Sequence, residues 1–230
     1  MDSEPENLRF FKIKIKDLCT FKGLIISDFH LGKFNDLLVE ENILINDLKQ
    51  LVKEVNPTHI FILGDIINFT ESCVDEWYFN FFKMLENNFN LPIYIIPGNH
   101  DRLSKPNCCF NRYKSDKLLK CIDTEFLEIQ FNDNFSVFFV HDAKYDSNIY
   151  GMMPLKEWMN KIRSWDHGKN IKKDDVLIFG HTHSNFDDDE DKNYAIGPFS
   201  VSLKGSSYGV IFYTDKFHFQ HFTSFLPEKA

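Results

Sequence analysis

The chain has 230 residues, 43% of them apolar, and a formal net charge of −8 at pH 7. That length and apolar content suit one sizeable hydrophobic core, and with no internal repeat or linker-like stretch a single domain over residues 1–230 is expected rather than two. The acidic balance disfavours a broad nucleic-acid footprint, which needs a basic face, so a nucleic-acid polymer is not the expected partner.

Met1 to Asn7 carries Asp2, Glu4 and Glu6 and neither a basic region nor a long apolar one, so no secretory signal is expected there. No run of about 18 apolar residues is present to span a bilayer, and a cytoplasmic protein is expected. The cysteines (Cys19, Cys73, Cys108, Cys109 and Cys121) form no CxxC pair, and read as free thiols of a reducing compartment.

Phe11 to Lys16 alternates as a half-buried strand. Gly23 to Ser27 is a continuous apolar run ending in Asp28-Phe29-His30, and reads as a central strand. Between Leu37 and Val55 the apolar residues at 37, 38, 44, 48, 51, 52 and 55 follow the spacing of one helical face, and Pro57 ends the helix. His59 to Leu63 is a second buried strand that stops at Gly64-Asp65. An aromatic-rich helix is expected over 72–87, and a third strand over Ile93 to Ile96, leading into Pro97-Gly98-Asn99-His100-Asp101. Strands alternating with helices in this way predict a parallel sheet with crossover helices. Each strand delivers polar side chains at its carboxyl end, where open α/β sheets place their ligands.

The second half changes character. Phe126 to Phe131 and Phe135 to Val140 read as a hairpin ending in His141. A helix is expected over 154–165, with Pro154 in its first turn. Strands follow at Val176 to Phe179, Tyr194 to Ser202, Tyr208 to Tyr213 and Phe217 to Phe222. These predict a second, mixed or antiparallel sheet packed on the first, in one α/β sandwich. Asp187 to Asp191 reads as a solvated acidic loop.

The strand ends present Asp28, His30, Asp65, Asn99, His100, Asp101, His141, His181 and His183. On an extended backbone, side chains two apart point to one side, so His181 and His183 are expected to converge. Neutral imidazole is the commonest protein metal ligand. Oxygen and imidazole donors without thiolate suit Mn, Fe, Zn, Co or Ni. They are too many for one tetrahedral ion, and two ions sharing a carboxylate fit better.

Taken in order, D-x-H at Asp28 and His30, G-D at Gly64-Asp65, G-N-H-D at Gly98 to Asp101, the lone His141 and G-H-x-H at Gly180 to His183 resemble the calcineurin-like metallophosphoesterase superfamily. The resemblance runs over residues 24–183. It implies a four-layer α/β/β/α sandwich of two mixed sheets flanked by helices. It also implies two divalent metal ions, manganese first among them. Asp28, His30 and His183 would hold one ion, Asn99, His141 and His181 the other, and Asp65 would bridge them. His100 would face the substrate, oriented by Asp101. Two sequence positions depart from the family's pattern: Asn68 stands where G-D-x-x-D has its last carboxylate, and Asp142 stands where Gly commonly follows the lone histidine. Neither removes a ligand.

The reading that follows is a hydrolase of small phosphomonoesters or phosphodiesters, with a water between the ions as nucleophile and His100 as proton donor. A non-catalytic protein-binding scaffold on the same fold is the alternative, and a nuclease is third. Residues outside these motifs add little: Arg102, Arg112, Lys114 and Lys144 read as solvated charge, and 144–170 as a helical flap over the pocket with Trp158 and Trp165 on its apolar side.

Overall fold

The computed structural model describes residues 10–15, 20–32, 37–68, 75–102, 113, 118–122, 124–132, 135–141, 154–164, 171–199, 206–213 and 216–225. The strands are β1 (Phe10–Lys14), β2 (Lys22–Ile26), β3 (His59–Ile62), β4 (Ile93–Ile95), β5 (Leu119–Cys121), β6 (Phe126–Asn132), β7 (Phe135–Val140), β8 (Val176–Phe179), β9 (Phe186–Asp188), β10 (Asn193–Ala195), β11 (Ser206–Tyr213) and β12 (Phe217–Phe225). The helices are α1 (Leu37–Val55), α2 (Asp75–Asn88), α3 (Asn99–Arg102) and α4 (Leu155–Ser164).

The strands form two mixed sheets of six, ordered β12-β11-β2-β3-β4-β5 and β1-β6-β7-β8-β10-β9. In the first, β2, β3, β4 and β5 are parallel, as the β-α-β pattern predicts. Period-two alternation explains why their sequences are apolar throughout. Leu24, Ile26, Ile60, Ile62, Ile93 and Ile95 face α1 and α2. The intervening Ile25, Phe61 and Tyr94 face the other sheet. In β7 and β8, Val137, Phe139, Val176 and Ile178 point into the same inter-sheet core, while Phe138, Val140, Leu177 and Phe179 lie beneath Trp158, Met159 and Ile162 of α4. Phe61 and Phe139 stack across the sheets with centroids 4.7 Å apart. Each such fully buried side chain contributes roughly 1.5–3 kcal/mol of burial free energy. The result is the α/β/β/α sandwich that the family resemblance implies.

Helix α1 ends where its sequence says it should. Asn56 takes a left-handed φ of 49° and donates its N–H to Val52 O at 2.8 Å, a C-terminal cap, and Pro57 follows.

Four expectations are corrected. The last hairpin, β11–β12, extends the first sheet by pairing with β2, whereas β1 joins the second beside β6; hydrophobic pattern marks a strand but not its neighbour. The strand expected over 194–202 is only β10. Beyond it Ile196 N bonds Phe179 O at 2.9 Å and Phe199 N bonds Ser27 O at 2.8 Å, so the chain crosses from one sheet to the other, and 200–202 lie outside the described residues. The acidic run is not all solvated loop: Asp187 and Asp188 sit in edge strand β9, and Asp188 is 7% exposed with Lys156 Nζ 3.2 Å away. Finally, β5 and α3 went unread because three or four residues carry too little periodicity.

The helix expected over 154–165 is α4, and its buried side chains cover the outer face of the second sheet. Of the proposed flap, 144–153 and 165–170 lie outside the described residues, as do Asp142, Arg112, Lys114, Cys19, Cys73, Cys108, Cys109 and the start of the helix expected from 72.

Candidate metal centre

The strand order brings the carboxyl ends of β2, β3, β4, β7 and β8 to one edge of the sandwich. The loops leaving them are laced together by main-chain bonds: Asp28 N to Gly64 O at 3.0 Å, His30 N to Asp65 O at 2.9 Å, Leu31 N to Ile66 O at 3.0 Å and Gly180 N to Val140 O at 3.0 Å. Asn68 belongs to this lacing, its N–H donating to Leu31 O at 2.8 Å. His181 N–H donates to Asp28 Oδ2 at 3.0 Å and so joins the two sheets.

Five of the polar residues here have left-handed backbone: Asp28 (φ 57°), His30 (47°), Asp65 (49°), His181 (60°) and His183 (51°). For residues with a Cβ this conformation costs about 1–2 kcal/mol each, and it persists where the surroundings over-determine it. It also corrects the extended backbone expected at Gly180 to His183, because both histidines there are left-handed. His183 lies with Asp28 and His30, and His181 lies with Asp65 and His141.

Three donor atoms define the first position. His30 Nε2 is 2.9 Å from His183 Nε2, His183 Nε2 is 3.3 Å from Asp28 Oδ1, and His30 Nε2 is 3.8 Å from Asp28 Oδ1. Two ligands about 2.1 Å from one ion and about 90–110° apart stand ~3.0–3.4 Å from each other, close to the two shorter spacings here, while the His30–Asp28 pair at 3.8 Å is wider. Asp28 Oδ1 is buried and accepts no hydrogen bond among the described residues. A buried carboxylate oxygen in that state is costly unless a cation serves it.

The second position is better defined. His141 Nδ1 donates to the carbonyl of Leu63 in a short hydrogen bond, which Ser27 Oγ also reaches at 3.0 Å. In the neutral ring, that bond leaves Nε2 with a lone pair. Nε2 then faces two more acceptors, Asp65 Oδ1 at 3.2 Å and Asn99 Oδ1 at 3.1 Å. With the ring neutral, all three atoms are acceptors, an arrangement that a bound cation would serve.

Asp65 connects the two positions. Its Oδ1 faces His141, and its Oδ2 stands 3.8 Å from His30 Nε2 and 4.0 Å from His100 Nε2. His100 N–H fixes Oδ1 at 2.9 Å. His100 is also the more open residue: its side chain is 31% exposed against 5% for His30 and 1% for Asp65.

Charge states suit ligation. Burial holds the His30 imidazole down at about 4, so it is neutral at pH 7. Burial pushes the Asp28 carboxyl up, but the neighbouring His183 and His141 outweigh it, leaving the group below its ordinary value. Asp65 behaves likewise, with His141 and the His100 N–H overcoming burial. Asp101 goes the other way: burial, then the Asp65 charge, pushes it up to about 6.

Two divalent ions therefore fit the residues present. Saturation with Mn at about a hundred times Kd should stabilise the fold by ~2.7 kcal/mol per site. For a chain of this size that raises Tm by ~5–10 °C for one site. The check is a melting curve of chelator-treated protein with and without Mn, and no shift would count against a resident metal.

Sequence reasoning named every donor above but missed their supports. Tyr78 OH donates to Asp101 Oδ1 at 2.8 Å, and the buried Glu40 accepts Gly32 N–H at 2.6 Å, beside the His30 loop. Neither carries a local signal, because both lie on helix faces that read as ordinary amphipathic pattern. His59 is half-buried and stacks on Phe61 and Tyr94; His218 stacks on Phe212 and His221 meets Asp187 at 2.8 Å.

Among curated proteins none matches the chain in sequence. Solved structures share its fold. GAP50, described as the anchor in the inner membrane complex of Plasmodium, superposes with a TM-score of 0.54 at 12% identity, covering 89% of this chain and 85% of that one. A dimetal phosphatase from Danio rerio superposes with a TM-score of 0.51 at 9% identity, covering 88% of this chain and 96% of that one. No helix of the described residues is long and apolar enough to cross a membrane. The sequence profile of the calcineurin-like phosphoesterases matches residues 21–213, the stretch that carries every donor residue described above, and the chain belongs to that family.

Proposed function

We propose that the chain is a dinuclear metal-dependent hydrolase of small phosphate esters, mono- or diesters. The observation that carries this reading is the approach of Asp65 Oδ1 and Asn99 Oδ1 to His141 Nε2, at 3.2 and 3.1 Å, next to the Asp28, His30 and His183 group. Bound divalent ions would supply positive charge for the phosphoryl oxygens and a water acidic enough to attack phosphorus. Asp28, His30 and His183 would hold one ion, Asn99, His141 and His181 the other, and Asp65 would serve both.

The chain's own chemistry is then positional. Asp65 and Asn99 come from loops bonded to each other, so the donors are placed before substrate arrives. The partly exposed His100 stands over Asp65 at the open side of the group, where its Nε2 can give a proton to the departing alkoxide. Replacing His100 by Ala should lower kcat by about 10²–10⁴-fold with both ions retained. Loss of the ions in that variant would make His100 a ligand instead.

The direct test is turnover of p-nitrophenyl phosphate and bis-p-nitrophenyl phosphate by Mn-loaded protein. Bound metal with no turnover of either sinks the hydrolase reading. Fewer than one ion per chain, unresponsive to added Mn, favours a scaffold.

A further inference from the structure

We propose that Tyr78 is a positioning residue of the metal centre, acting through Asp101 on the spacing between Asp65 and Asn99. This rests on the dinuclear reading above, and concerns a hydroxyl on α2 that is not itself one of the donors.

Asp101 is 1% exposed, and its carboxylate gathers donors from three segments. Ile66 N–H reaches Oδ1 at 3.1 Å, Gly98 N–H reaches Oδ2 at 2.9 Å, and Tyr78 O–H reaches Oδ1 at 2.8 Å. Ile66 is joined by its peptide bond to Asp65, and Gly98 directly precedes Asn99. A shift of the Asp101 carboxylate therefore moves one donor residue relative to the other. The circuit closes on the far side, where His100 N–H bonds Asp65 Oδ1 at 2.9 Å. Asp101 in this way sets the two loops by their main chains.

Tyr78 anchors that carboxylate from outside both loops. It is 2% exposed, and its ring is fixed by Trp77 and Phe82, with centroids 5.2 and 5.8 Å away. A clamped ring gives its hydroxyl little freedom to follow a wandering acceptor. The loops it controls have no slack, because a side chain on Gly98 would overlap the Asp65 backbone. Groups that orient ligands from behind typically change metal affinity or activity by about 10–100-fold when removed.

The test is Tyr78→Phe, which deletes the hydroxyl and keeps the packed ring. Chelator-stripped protein is titrated with Mn in a calorimeter, and its melting temperature is recorded without metal. Mn affinity should fall by about 10–100-fold, with the metal-free melting temperature close to that of the unaltered protein. Asp101→Asn should weaken binding too, and adding Tyr78→Phe to it should cause less further loss than in the unaltered protein, since the two act as a unit. Tyr194→Phe is the control: its hydroxyl makes a similar 2.8 Å bond to Asp189, away from both loops, and Mn affinity should not change.

Unaltered Mn affinity in Tyr78→Phe overturns the proposal. So does an equal loss in Tyr194→Phe, or a Tyr78→Phe protein that does not fold without metal, since either makes the role structural. Unaltered protein that binds Mn but cleaves neither ester rejects the hydrolase reading and leaves Tyr78 standing. Unaltered protein that takes up no Mn overturns both.

Discussion

Asp65→Asn should remove metal from both positions at once and lower kcat/KM by about a thousand-fold or more. The two carboxylate oxygens of Asp65 face different histidines, Oδ1 toward His141 at 3.2 Å and Oδ2 toward His30 at 3.8 Å. An amide retains one acceptor oxygen and presents N–H groups where the other stood. It also removes the negative charge that offsets two divalent ions. A loss of only ~4 kcal/mol of transition-state stabilisation already amounts to about a thousand-fold. Asparagine is the informative replacement because it tolerates the left-handed backbone that Asp65 adopts. Alanine would add strain and confuse the result. Metal content per chain and initial rates on p-nitrophenyl phosphate are the readouts, and two ions with near-normal rates would show that Asp65 is not shared.

Gly98→Ala should be strongly destabilising and should disturb Asp65 directly. The loops after β3 and β4 press against each other glycine to glycine. A Cβ on Gly98 would overlap Asp65 Oδ1 and the Asp65 backbone nitrogen, and would lie 2.8 Å from Asp65 Cγ. Gly64 opposite already uses a φ of 80° and has Gly98 backbone where its own Cβ would go. Overpacking usually costs ~1–3 kcal/mol, and the Asp65 main-chain nitrogen, 2.4 Å from the added Cβ, cannot swing aside as a side-chain end can. The upper end, ~3 kcal/mol, corresponds to a Tm lower by ~6–12 °C for a chain of this size. Mn uptake should fail as well, because relief of the overlap displaces Asp65. Gly209→Ala is the comparison: its Cβ would meet Ile196 Cδ1 at 2.7 Å and Phe219 Cε2 at 3.0 Å, side-chain ends that can give way. Equal melting temperatures for the two variants would refute the argument.

The first sheet was legible because its strands are short apolar runs and its helices carry one apolar face. Those patterns reflect burial on both faces of a strand and on one face of a helix, and α1 appears at the residues expected. Edge assignments were not legible. Nothing in Tyr208 to Phe222 says that β11 pairs with β2, since main-chain pairing is blind to side-chain type. Edge strand β9 was hidden for a related reason, its acidic residues suiting both an exposed loop and a protected edge.

The donor residues could be named from sequence alone, because metal chemistry restricts residue type and strand ends restrict position. Asp28, His30, Asp65, Asn99, His141, His181 and His183 are all of that kind. What required the folded chain is the arrangement of their lone pairs. His141 presents Nε2 only because the Leu63 carbonyl takes its Nδ1 proton, and Leu63 lies 78 residues away in sequence. The separate placement of His181 and His183 depends on left-handed peptides that no propensity would favour for histidine. Asp101 reads in the motif as a partner for the residue beside it, yet it accepts hydrogen bonds from Tyr78, Ile66 and Gly98. The sequence by itself determined which atoms are available to ligate. Only the tertiary structure decided which way those atoms face, because direction is set by hydrogen bonds and backbone packing between segments distant in the chain.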